Sequence, residues 1–106
     1  MTVMTLREVC DAYGVSRRAV QGYEKAGLIS ASQKNQRGYL LYDVAEQEQI
    51  RKIKFYQQIG FTLKEIKSLL KAPEDEVKQM LEKQVRKLEK ENQQKEELIR
   101  EIYKLL

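Results

Sequence analysis

The sequence predicts a mainly α-helical fold: five helices, one small β-hairpin between the second and third, and a long helix at the end. Three observations carry this expectation. Ser, Thr or Asp heads four amphipathic stretches, and in three of them Glu follows three residues later, the pattern of a capping box. Residues 28–42 alone combine β-favouring stretches with a polar, Gly-containing loop. From Pro73 to Leu106 there is neither Gly nor a further Pro. Leu, Ile, Val and Phe supply 28 of the 106 residues, above the roughly 20 % below which a chain stays disordered. A folded but thin core follows.

The first helix starts at Thr5, which pairs with Glu8, with Met4 and Val9 as its hydrophobic staple. Its apolar residues Leu6, Val9, Cys10 and Tyr13 follow helical spacing to about Ala12, and Gly14 turns the chain. Ser16 caps the second helix, predicted from Arg17 to about Ala26 and stopped by Gly27. Ala19, Val20, Tyr23 and Ala26 form its inner stripe, whereas Arg17, Arg18, Gln21 and Lys25 fall opposite. Two short helices joined by a Gly-containing turn make a helix-turn-helix, whose second helix enters the major groove of DNA in proteins that use it so. An ordinary helical hairpin is the plain alternative, and the Arg-rich outer face argues for DNA.

Leu28-Ile29 and Gly38–Tyr42 flank the polar residues Lys34, Asn35, Gln36 and Arg37. This reads as a hairpin, and one that follows a helix-turn-helix is a wing with a basic, hydrogen-bonding tip suited to phosphate. Tyr39 and Tyr42 either pack as half-buried strand residues or face the same partner. Asp43 with Glu46 starts the third helix, to about Ile59, with Ile50, Ile53 and Tyr56 or Gln57 on one face and Phe55 and Ile59 beside it. Thr62 with Glu65, stapled by Phe61 and Ile66, starts the fourth, Leu63 to Lys71. The division expected is a winged helix-turn-helix domain over 1–72 and a coiled-coil helix over 73–106.

Pro73 is expected at the first position of that last helix. A four-three spacing runs through Val77, Leu81, Gln84, Leu88, Glu91, Lys95, Leu98, Ile102 and Leu105, with a wholly polar middle from Glu89 to Glu97. Asn92 in that middle either specifies register or is a solvated residue, and the solvated reading is the plainer one. Self-association is the simplest way to bury the stripe, and folding back on the first domain is the alternative.

Charge and composition exclude several functions. Residues 1–72 carry 12 Lys/Arg against 7 Asp/Glu, and residues 73–106 carry 8 against 9. Between Ala12 and Tyr42 five cations face Glu24 alone, a balance suited to a polyanion. There is no His and one Cys, Cys10, so no Cys/His metal site within one chain, no cofactor and no His-based catalysis are expected. No nucleophile–base pair or phosphate-cradling Gly loop points to an enzyme. A lone Cys fits a reducing cytoplasm, and no stretch reads as a signal peptide or membrane span. On the inner stripe, Cys10 reads as a small buried hydrophobe.

Ser16–Ile29 resembles the recognition-helix signature of MerR-family transcription regulators. Gly38-Tyr39 with Tyr42 resembles their wing, Ile59–Leu70 their fourth helix, and the last helix their dimerisation helix. The resemblance implies a homodimer joined by an antiparallel coiled coil. Its recognition helices would meet successive major grooves of a palindromic promoter site and distort the spacer, with RNA polymerase as a further partner. On the outer face of the second helix, Arg17, Arg18 and Gln21 would then face base edges and nearby phosphates. Lys34, Arg37 and Tyr39 would hold the wing on the backbone. Tyr23 is kept from the signature although periodicity turns it partly inward. Val77, Leu81, Leu88, Leu98, Ile102 and Leu105 would carry the dimer. Family members usually have Arg and an aromatic where Gln21 and Gly22 stand, and Arg where Leu40 stands. Arg17, Arg18 and Arg37 are then the substitute anchors, and Gln21 suits adenine. Metal sensing is not implied, since the long helix has no cysteine. No separate effector domain is expected after Leu106. Two other classes stay open: a coiled-coil protein-interaction module, and a DNA-bending accessory factor in recombination.

Overall fold

The computed structural model describes residues 2–106. In chain order the elements are β1 (Met4–Thr5), α1 (Leu6–Tyr13), α2 (Arg17–Lys25), β2 (Gln33–Lys34), β3 (Leu40–Tyr42), α3 (Val44–Gln58), α4 (Leu63–Lys71) and α5 (Glu74–Leu105). By contact the chain divides into two units, one ending at Leu70 and the other Lys71–Leu106.

The helix starts follow local chemistry. The Thr5 hydroxyl accepts from the Glu8 N–H at 3.3 Å, and Glu8 Oε1 accepts from the Thr5 N–H at 3.0 Å. Thr62 and Glu65 do the same at 3.2 and 3.0 Å. Asp43 completes only its own half. It accepts from the Glu46 N–H at 2.9 Å, but the Glu46 carboxylate turns outward to the Ser30 N–H at 3.0 Å. That long-range bond fixes the segment entering the wing. Pro73 stands one place outside α5, as its extended N-cap (φ −60°, ψ 155°), rather than inside the helix.

Gly27 ends α2 in a Schellman motif: its own N–H reaches Glu24 O and the Leu28 N–H reaches Tyr23 O, at 3.0 and 2.9 Å. Its φ of 77° is open to glycine at no steric cost. This turn drops Leu28 and Ile29 into the core, 8 % and 6 % exposed. They were expected as a strand, but they lie in a buried connection.

The sheet is antiparallel, in the order β1-β3-β2. Met4 and Thr5 pair with Tyr42 and Leu41, and Gln33 and Lys34 pair with Leu41 and Leu40. The wing's outer strand is thus the polar pair Gln33-Lys34, which had read as loop. A solvated edge strand needs no apolar residue, so alternation does not mark it. The hairpin turns at Asn35, whose side-chain oxygen accepts from the Arg37 and Tyr39 N–H groups at 2.9 and 3.0 Å, and Gly38 closes it at φ 79°.

The core of the first unit gathers residues from every layer. Val9, Val20, Tyr42, Ile50, Ile53 and Ile66 are fully buried. Among the described residues, one buried polar side chain joins them, Gln47. It accepts from the Tyr13 hydroxyl at 3.1 Å and donates to the Tyr42 and Thr2 carbonyls at 2.9 and 3.0 Å, so its polar atoms are satisfied. The alternative of Tyr56 or Gln57 on the inner face of α3 resolves to Tyr56, 7 % exposed, with Phe61 edge-on at 6.1 Å.

Hydrogen bonds from the Thr5 backbone, and then its hydroxyl, hold the Glu8 carboxyl below the usual carboxylate range. A carboxylate lowered on folding adds stability that is present above its unfolded value and lost as pH falls through its folded one. Glu8→Gln is therefore expected to flatten the acid limb of stability below about pH 4.5, read by urea unfolding across that range. An unchanged acid slope would deny Glu8 this role.

Candidate nucleic-acid interface

Helix α2 is held from two sides. Val20 and Tyr23 plug it into the core, 0 % and 2 % exposed. The Tyr23 hydroxyl donates to Gln57 Oε1 of α3 at 2.7 Å. The Tyr42 hydroxyl of β3 donates to the Glu24 carboxylate. Burial, and next that bond to Glu24, push the Tyr42 hydroxyl far above the ordinary tyrosine range, so it remains a donor at any pH the protein meets. One helix is therefore tied to both α3 and the wing by oriented polar contacts.

The preceding helix is pinned as well. Lys54 Nζ donates to the Tyr13 carbonyl at 2.7 Å, where a cation complements the carbonyl end of α1. The Ser16 hydroxyl accepts from the Ala19 N–H at 3.0 Å and starts α2 at a defined residue. What this rigid frame presents is the opposite face. Arg17, Arg18, Gln21 and Lys25 are all exposed.

Lys34 and Arg37 are exposed at the wing tip, and Tyr39 is 57 % exposed. Tyr39 and Tyr42 part company: Tyr42, for which strand packing was the favoured reading, is fully buried. Arg17 and Tyr39 line a common cleft of about 450 Å³ between the start of α2 and the wing, together with Gly38, Leu40 and Arg7. Lys34, at the end of β2, and Arg37, in the turn, are not among the residues that line it. Among the described residues, none of these cations is held in an ion pair. The surface therefore presents uncompensated positive charge in a concave setting, the electrostatic form that draws a polyanion.

Arg7 was not expected here. It reaches the cleft because β1 pairs with β3, which sets the first turn of α1 beside the wing. Only its exposed position after a cap was visible in the sequence. Tyr23 requires a correction in the other direction. Its ring is in the core and its hydroxyl is spent on Gln57, so it is not carried forward as a DNA contact. Tyr23→Phe is expected to lower stability by about 1 kcal/mol and to leave nucleic-acid binding unchanged in a titration of the folded variant. A specific loss of binding would return Tyr23 to the interface.

Gly22 lies within α2, and nothing stands within 4 Å of where a Cβ would project. Gly22→Ala is therefore expected to stabilise the protein by about 0.5–1 kcal/mol, checked by thermal unfolding. A destabilised variant would show that this face is not open. Among the described residues, no group of three His, Cys, Asp or Glu could hold a metal, and no helix is long and apolar enough to cross a membrane.

Comparison with known proteins accounts for both units. The family model for MerR HTH family regulatory proteins matches residues 4–73, and that for MerR, DNA binding matches residues 47–105. The HTH-type transcriptional activator mta of Bacillus subtilis is 35 % identical over 95 % of this chain, which spans 39 % of that relative's length. The crystal structure of MtaN, the N-terminus of the Bacillus subtilis multidrug transporter activator, is 34 % identical, with a TM-score of 0.75 and 97 % of each chain covered. HiNmlR, a MerR family regulator lacking the sensor domain and solved bound to promoter DNA, shares the fold at 15 % identity, with a TM-score of 0.75 over 92 % of this chain and 79 % of that one.

Proposed function

Because the chain belongs to the MerR family of helix-turn-helix regulatory proteins, we propose that it binds a palindromic promoter site as a homodimer and regulates transcription by distorting the promoter spacer. The observation that carries this reading is the outer face of α2. It presents Arg17, Arg18 and Gln21 to solvent without ion pairs, from a helix tied on its other side to α3 and β3. Arg pairs with guanine and Gln with adenine through two parallel hydrogen bonds, and a rigid helix holds such side chains at a fixed depth in the groove.

Lys34, Arg37 and Tyr39 take phosphate, and Arg7 joins Arg17 at the cleft. These contacts set register without reading sequence. The dimer forms through α5, along Val77, Leu81, Leu88, Leu98, Ile102 and Leu105. Two recognition helices in a symmetric dimer meet half-sites about one turn of DNA, roughly 34 Å, apart. Holding both grooves at once on a spacer of the wrong twist requires deforming the DNA, and the deformation is the regulatory act. RNA polymerase is the partner that profits from the changed spacer, and the cytoplasm is the place of action. MerR-family regulators are not enzymes, and the face built here is one for binding.

Selection of bound duplexes from a random pool at near-physiological salt tests the reading. An inverted repeat is the expected product, and its affinity should fall steeply with salt as several phosphates are neutralised. Recovery of no sequence above background, or binding indifferent to salt, would overturn it in favour of a protein-binding role.

A further inference from the structure

Helix α5 runs unbroken from Glu74 to Leu105. From Leu88 onward the apolar residues of its four-three stripe stay open to solvent in the single chain, whereas Val77 and Leu81 are half-buried: Leu88 is 40 % exposed, Leu98 63 %, Ile102 56 % and Leu105 87 %. The stripe is interrupted by two charges, Glu91 and Lys95. Among the described residues neither is held in an ion pair within its own chain. An apolar seam with opposite charges at its midpoint carries information about how it is covered.

We infer that α5, in the antiparallel homodimer that the family resemblance implies, pairs in a single register, with the two-fold axis beside Gln93, in which Lys95 of each chain meets Glu91 of the other. The pairing rests on the homodimer proposed above and adds its register and the role of its polar middle. In an antiparallel pair, each a-position residue faces a d-position residue of the second copy. With the axis at Gln93, Leu81 meets Leu105 of the second copy and Leu88 meets Leu98. Gln84 meets Ile102, and the two central layers are the Lys95–Glu91 pairs. The flanks agree with the core. On one side Val85 faces Ile99 of the second copy and Asn92 faces its own equivalent. On the other, Lys87 faces Glu101 and Gln94 faces Gln94. Val85 and Ile99, both half exposed in the single chain, are then covered by each other.

No neighbouring arrangement does this. A slip of one heptad one way sets Glu91 against Leu88 of the second copy, and the other way sets Lys95 against Leu98. A parallel pair stacks Lys95 on Lys95 and Glu91 on Glu91. Each leaves a charge in the seam without its counterion, which is strongly unfavourable. The charged centre thus weakens the seam locally and excludes the alternatives, as polar core positions do in coiled coils. Glu101, which holds Lys104 of its own helix at 3.2 Å, gains Lys87 of the second copy as well.

Two measurements on the full chain test the register, after sedimentation has established the mass of the unaltered protein. In a Cys10→Ala background, Lys87→Cys with Glu101→Cys in one chain should cross-link dimers efficiently with a short bis-maleimide. Either change alone should not, because like positions lie about 21 Å apart along the axis. Separately, Lys95→Glu and Glu91→Lys should each raise the dimer dissociation constant by roughly tenfold or more. Mixed in equal amounts, the two variants should pair with each other and recover. An effect confined to one helix would leave the mixture as weak as its components and would overturn the inference. A dimer that fails to cross-link, or that ignores Lys95→Glu, overturns the register while the homodimer stands. A monomeric unaltered protein overturns both.

Discussion

Arg18→Ala is expected to weaken binding to the selected operator by about 1–3 kcal/mol, or about 5- to 150-fold, with a much smaller loss on unrelated DNA. The side chain is exposed on α2, opposite the buried Val20 and Tyr23. Truncating it removes hydrogen bonds to a base edge and leaves the partner base unsatisfied, while the helix keeps its packing. Lys34→Ala supplies the contrast. Its side chain sits on the edge strand of the wing and takes phosphate. It should weaken all duplexes alike and reduce the magnitude of the salt slope by about one. Anisotropy titrations of both variants on operator and scrambled duplexes, at several salt concentrations, separate the two effects. If Arg18→Ala loses equally on both duplexes, Arg18 is a phosphate anchor and the base-reading assignment moves to Gln21. If it loses on neither, α2 does not enter the groove.

Ile53→Ala is expected to destabilise the first unit by about 2–5 kcal/mol. That is a large part of the roughly 5–15 kcal/mol by which a domain is stable. Ile53 is fully buried, and α3 supplies the partners that position the DNA-facing elements: Gln57 for Tyr23 and Lys54 for the end of α1. DNA binding should therefore fall with the folded fraction and recover on cooling or at low denaturant. Phe55, two residues on, is 53 % exposed, and Phe55→Ala should stay within about 1 kcal/mol of the unaltered protein. Urea unfolding of the two variants measures the difference. Equal losses would mean that Phe55 is buried in solution by a second copy or another surface. Equal tolerance would mean that the core around Ile53 relaxes around the cavity.

The difference between Ile53 and Phe55 also shows what periodicity resolves. Helical spacing put Ile50 and Ile53 on one face and Phe55 beside it, and the structure buries the first two and exposes the third. The same spacing turned Tyr23 inward while the motif pointed it at DNA, and the structure buries its ring. A motif records that a residue type recurs, and its side chain can recur for packing. The wing misled for a related reason. Leu28-Ile29 has strand-like residues, yet the Gly27 turn delivers it to the core before a strand can pair. Gln33-Lys34 has polar residues, yet it pairs because Leu40 and Leu41 offer their open edge.

The helix starts, the Gly27 and Gly38 turns, the exposed basic face of α2 and the length of α5 were all legible in the residues. Each depends on chemistry within about four positions along the chain: a hydroxyl on an N–H, a positive φ, an amphipathic period. Contacts across the chain were not legible. The pairing of Met4 with Tyr42 brings Arg7 to the cleft beside Arg17 and Tyr39. The bonds Tyr23–Gln57, Tyr42–Glu24 and Lys54–Tyr13 lock α2 and α1 in place. Such partners stand 18 to 41 positions apart, and no local pattern can specify them. They form because a thin core leaves few ways to satisfy every buried hydroxyl and amide at once.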